Sequence, residues 1–147
     1  MIGFQPGPQV VSLFASAARV TAIANSAGTA VANVGNAKRV IILLDVTAMG
    51  GAAGDTLDVY VDVSLGGTKW LNAVHFTQLA GNAAAMSAYA ILDPSAPGTT
   101  PIVTTSDCGS GVTRPGAFGT DIRGRYTLVD AGAHGQSATF SLTALLQ

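Results

Sequence analysis

Residues 58–70, DVYVDVSLGGTKW, decide the fold class of this chain. Val59, Val61, Val63 and Leu65 fall on one side of an extended backbone, while Asp58, Tyr60, Asp62 and Ser64 fall on the other. That two-residue period is the mark of a half-buried β-strand, with its apolar side toward a core and its polar side toward solvent. Gly66 and Gly67 follow and supply the positive backbone angles of a hairpin, so Trp70 lies on a returning strand.

Upstream, residues 39–49, RVIILLDVTAM, are apolar on both sides and predict a central strand covered on both faces. Residues 29–34 are a further strand candidate, as are residues 10–14, and the Ala-rich run from there to Ala24 reads as strand or as a turn of helix. Pro6, Gly7 and Pro8 exclude helix and central strand from residues 1–9, which are expected to form an extended N-terminal arm ahead of one domain, residues 10–147.

Downstream, residues 74–79 alternate again, and residues 80–89 are Ala-rich enough to predict a short helix. Two long loops, residues 93–101 and 106–119, suggest a functional or partner-facing edge. Residues 122–129 and 138–145 are expected to pair as strands joined by DAGAHGQS. About seven or eight strands separated by turns predict an all-β chain, an antiparallel β-sandwich or jelly roll with long loops.

Composition bounds the function. At 147 residues the chain fits one domain with a sizeable core. Charged residues make up 10% and Glu is absent, where about 25% charge is usual. With a formal net charge of −1 and a mean hydropathy of +0.43, little electrostatic repulsion opposes association. Permanent assembly is one reading of that balance, and a polar uncharged surface of Thr, Ser, Asn and Gly is the other.

A nucleic-acid partner would call for clustered Lys and Arg. Arg114, Arg123 and Arg125 come nearest, but Asp121 and Asp130 flank the latter two, which predicts an ion-paired surface. Cys108 is the only cysteine, which excludes an intrachain disulfide and a cysteine-pair zinc site and fits synthesis in a reducing cytoplasm. No run approaches the roughly 20 apolar residues of a spanning helix, so no membrane partner is expected. Residues 10–27 carry small and apolar residues, but no Lys or Arg precedes them, which argues against a signal peptide.

Chemistry is scarce. His75 and His134 are the only histidines, and neither accompanies a nucleophile motif, so His75 reads as a polar strand residue and His134 as part of a Gly-flanked turn. Asp55, Asp58 and Asp62 offer carboxylate oxygens for Ca²⁺, yet their spacing on one strand is too long for one ion and suits a solvated face. Residues 109–111 (GSG) and 50–55 (GGAAGD) lack the lysine of a phosphate loop. Cys108, beside Asp107, reads as an inert or partly buried thiol, and Trp70 as a hairpin-packing residue. No catalytic, cofactor-binding or metal-binding residue is assigned.

Four stretches together resemble small structural proteins of tailed bacteriophages: LFASAARVTAIANSA at residues 13–27, VIILLDVTA at 40–48, LDVYVDVSLGGTKWLNAVHFT at 57–77 and DIRGRYTLVDAGAHGQSATFSLTALL at 121–146. The resemblance spans most of the chain and describes a β-sandwich more than a site. It implies a virion component, most compatibly a capsid decoration or cement protein on the outside of the head, with the major capsid protein and copies of itself, a trimer, as partners. It brings no enzymatic residues and no cofactor. A head-to-tail connector or tail component is the alternative in the same class. In another class stands a carbohydrate- or surface-binding module, with Trp70, Tyr89 and Tyr126 as an aromatic platform.

Overall fold

A computed structural model describes residues 7–96 and 101–147. Among these residues ten strands form in chain order: β1 (Gln9–Arg19), β2 (Ile23–Ala27), β3 (Val40–Gly50), β4 (Thr56–Ser64), β5 (Trp70–His75), β6 (Leu79–Ala80), β7 (Met86–Leu92), β8 (Val112–Thr113), β9 (Asp121–Val129) and β10 (Ser137–Leu146). One sheet runs β1-β10-β3-β7 and the other β2-β9-β4-β5-β8, with β6 also on β4; every pairing is antiparallel. The expected all-β sandwich is what forms.

Alternation explains the core. Val40, Ile42, Leu44 and Val46 of β3 and Phe140, Leu142 and Ala144 of β10 turn inward from the first sheet. Leu57, Val59, Val61 and Val63 of β4, with Ile122 and Leu128 of β9, meet them from the second. Each large side chain so buried contributes about 1.5–3 kcal/mol relative to exposure.

At one end Phe14, Tyr126 and Phe140 pack edge to face with centroids 5.5–5.8 Å apart. The Arg19 guanidinium lies 3.9 Å from the Phe140 ring centroid, capping the cluster through cation–π attraction. Phe14 fits only because residue 124 is glycine: a Cβ there would lie 2.6 Å from the Phe14 ring and 2.9 Å from Leu142.

Several expectations change. Strands β3 and β4 exchange roles: β4, expected to be half-buried, is covered on both faces, whereas β3, expected to be covered twice, leaves Leu43 45% exposed. Leu65 is not on a buried face but 77% exposed in the loop, where Gly66 and Gly67 do take φ near +78°. Residues 29–34 make one isolated bridge, Val31 to Ile122, because Asn33 turns the chain at a φ of 62°.

No helix forms over residues 80–89, or anywhere among the described residues. Ala80 ends β6, Gly81 lies where a Cβ would come within 2.6 Å of the Ala52 carbonyl oxygen, and Ala88 and Ala90 serve as small inward residues of β7. Tertiary packing here overrides the helical preference of Ala.

Strands β9 and β10 are not partners either, since residues 130–136 carry the chain from one sheet to the other. The expected pairing of residues 122–129 with 138–145 is therefore absent. Residues 1–6 of the expected arm and residues 97–100 of the first long loop lie outside the described residues, and Gln9 already pairs with Leu146.

Candidate functional site

Three regions bring together the side chains with chemical capacity: the outer face of the β4 sheet, a corner where that sheet meets the crossover to β10, and the outer face of the β3 sheet.

On the β4 sheet the polar side of residues 58–64 is closed over, not solvated. Asp62, 2% exposed, accepts from Arg125 Nε (3.0 Å) and Nη2 (3.1 Å), from Arg123 Nε (3.3 Å) and from Asn72 Nδ2 (3.1 Å). Arg125 also reaches Asp107 Oδ1 at 2.7 Å and lies 4.1 Å over the Tyr60 ring. Burial pulls the Arg125 guanidinium toward its neutral form, but its bonds to Asp62 and Asp107 outweigh that and raise it above its ordinary value. The ion pairs anticipated for Arg123 and Arg125 exist, with Asp62 as their shared partner in place of Asp121 and Asp130.

The cover is the second long loop. Its Cys108 N–H donates to Asn72 Oδ1 (2.8 Å), its Ser110 Oγ accepts from Gln78 N (2.8 Å) and its Gly111 N–H donates to the His75 carbonyl (2.9 Å). This part of the expected partner-facing edge thus folds back onto its own sheet. His75 is held between Asp58 Oδ1 (2.7 Å from Nε2) and the Cys108 carbonyl oxygen (2.9 Å from Nδ1), and stacks on Tyr60 at 4.2 Å. Both ring nitrogens are engaged within the fold, which leaves neither to act as a base on an added molecule. Cys108 is buried and its thiol is pushed up by desolvation, in keeping with an inert thiol.

Asp55, Asp58 and Asp62 go to different partners, as their spacing implied. Asp55 is fully buried in the corner: Oδ2 accepts from Ala52 N (2.7 Å), and Oδ1 from Ala131 N (2.8 Å) and His134 Nδ1 (3.2 Å). The Ala52 N–H, helped by Ala131 and His134, holds its carboxyl below the ordinary value against the effect of burial. Asp130 accepts the backbone N–H groups of His134 and Gly135 and is likewise lowered. The ligand-capable atoms of Asp55, Asp130 and His134 lie within 4.8 Å of one another. Gln136, 1% exposed beside them, gave no signal in the sequence, and neither did Asn72 or Gln78, because their partners are distant in the chain.

The outer face of the β3 sheet is different in kind. Val10, Leu145, Ile41 and Ile91 form one row across its four strands, and Leu43 and Tyr89 sit next to them in the following row. Val10, Leu43, Tyr89 and Ile91 are exposed, Tyr89 to 70%. The three aromatics proposed as a sugar platform are separated: Tyr89 is on this face, Tyr126 packs between the sheets, and Trp70 lies under the Arg123 guanidinium at 4.2 Å.

The fold and its surfaces therefore define an antiparallel β-sandwich with one polar face closed over by a loop and, on the other sheet, an exposed apolar patch bordered by Ser12, Thr143, Asp45 and Ser87. A scan of protein-family models finds no match, and searches of curated proteins and of solved structures find none either.

Proposed function

We propose that this chain is a non-enzymatic virion structural protein of the tailed-phage type, a decoration protein that seats on the outside of the capsid and stabilises contacts between major capsid protein subunits. The observation that carries the reading is the open apolar face of the β3 sheet, where six cross-strand neighbours, Val10, Ile41, Leu43, Tyr89, Ile91 and Leu145, adjoin one another in a chain of few charges. Contiguous exposed apolar surface of this kind marks interaction sites. The resemblance of residues 13–27, 40–48, 57–77 and 121–146 to small phage structural proteins supplies the partner.

A cement protein needs a rigid body and an adhesive surface, and no chemistry. Copies assembled as a trimer around a local threefold axis would each add a modest contact, and the contacts would act together through effective concentration. Quantitative mass spectrometry of purified particles, scaled to the most abundant shell protein, tests the proposal. A copy number comparable to that of the shell protein is expected, with Leu43→Asp abolishing saturable binding to preformed capsids. A dozen copies or fewer per particle would replace decoration by a connector or tail role, and absence from particles would overturn the virion reading.

A further inference from the structure

We propose that Asp55, Asp130 and His134, assisted by Gln136, form a binding site for a divalent first-row transition cation of the Zn²⁺ type. The donor set is one imidazole nitrogen with carboxylate and amide oxygens, a mixture suited to such ions; Ca²⁺ prefers oxygen alone.

The geometry is close to what an ion needs. Zinc bonds of about 2.0–2.2 Å place tetrahedral donors about 3.3–3.6 Å apart. Asp55 Oδ1 and His134 Nδ1 are 3.2 Å apart, while Asp130 Oδ1 is 3.9 Å from the same nitrogen and must close by roughly half an ångström. His134 is 47% exposed in its side chain and Asp55 not at all, so the ion enters past the histidine and ends against the buried carboxylate.

Gln136 is the independent sign of a ligand. It is 1% exposed, and neither its amide oxygen nor its amide nitrogen has a hydrogen-bond partner. A Cβ on Gly51 would collide with this amide oxygen and lie 2.7 Å from Asp55 Oδ2, so the Gln136 amide and the Asp55 carboxylate border the same backbone position. A buried amide without a partner, set beside a buried carboxylate, is satisfied when a cation or a donor reaches it.

Binding displaces the proton of His134 Nδ1 to solvent and leaves all covalent bonds unchanged. The four residues come from the loop between β3 and β4 and from the crossover between the sheets, so an ion there ties one sheet's connection to the other's.

The test uses the full chain, stripped with a chelator and titrated with ZnCl2 by calorimetry, with MnCl2 and CaCl2 in parallel. One Zn²⁺ per chain is expected, with Tm rising by about 5–10 °C at a free concentration a hundredfold above Kd. His134→Ala, a half-exposed change that preserves the fold, should weaken Zn²⁺ at least tenfold, and Gln136→Met should weaken it severalfold. The proposal falls if no saturable one-to-one binding is seen, if His134→Ala binds Zn²⁺ unchanged, or if Ca²⁺ binds better than Zn²⁺. It falls equally if crystals grown with Zn²⁺ show the Gln136 amide turned end for end, donating to Asp55, with no ion.

Discussion

Replacing Arg125 by Met removes the guanidinium that lies over Tyr60 while keeping an unbranched apolar side chain, and so tests the charge at the centre of the closed face. In the native protein Asp62 receives two bonds from Arg125, at 3.0 and 3.1 Å, at a site only 2% exposed. The variant leaves it with Arg123 at 3.3 Å and Asn72 at 3.1 Å. Breaking a buried ion pair from one side costs about 3–5 kcal/mol, because the remaining charge cannot be hydrated. That is a large share of the 5–15 kcal/mol expected for a domain, and corresponds to a Tm lower by roughly 10 °C. Urea unfolding followed by the fluorescence of Trp70, the only tryptophan, measures it. The double variant Arg125→Met, Asp62→Asn removes both charges and should recover at least 1 kcal/mol of the loss, a coupling that a solvated pair would not show. A single-variant cost below about 1 kcal/mol, with no recovery in the double, would mean that the loop does not close this face in solution.

Core packing gives a second expectation: Ile42→Ala, at a fully buried site, should cost about 2–5 kcal/mol in urea unfolding, and a loss under 1 kcal/mol would contradict the inward register of β3. Gly124→Ala should cost about 1–3 kcal/mol by displacing Phe14, an effect that Phe14→Leu should reduce in the double variant. Acid should destabilise the fold in a particular window. The Asp55 and Asp130 carboxyls are held lower in the fold than in the unfolded chain, so their contribution is complete above about pH 4 and lost as pH falls through their folded values. Asp55→Asn should flatten the fall of Tm below about pH 4, and an unchanged slope would remove Asp55 from the account.

Strand periodicity made the sandwich legible, and the misreadings come from what alternation cannot report. Residues 58–64 carry a polar face, which in isolation implies water, but Arg125 lies 63 residues away from Asp62 and the covering Asp107 lies 18 residues before Arg125. Residues 40–44 are apolar on both sides, which implies cover, yet among the described residues Leu43 and its cross-strand neighbour Tyr89 have little. Both errors have one cause: composition tells what a face prefers, while contacts between remote segments decide what it meets. The Ala-rich residues 80–89 failed differently, since helix propensity is local and the close approach at Gly81 is not. For the corner site, the spacing of Asp55, Asp58 and Asp62 correctly separated the three, but DAGAHGQS gave no hint that Asp130, His134 and Gln136 would return to Asp55.

The order β1-β10-β3-β7 places the last strand of the chain between the first and the third. During synthesis β1 and β3 are both made long before the strand that must separate them, so neither can complete its hydrogen bonding until β10 has left the ribosome. Folding of that sheet is therefore dominated by distant pairings, which are slow to form. A chain cut short before Ser137 would leave β1 without a partner strand and β3 paired only with β7, with the inward side chains of β10 missing from the core.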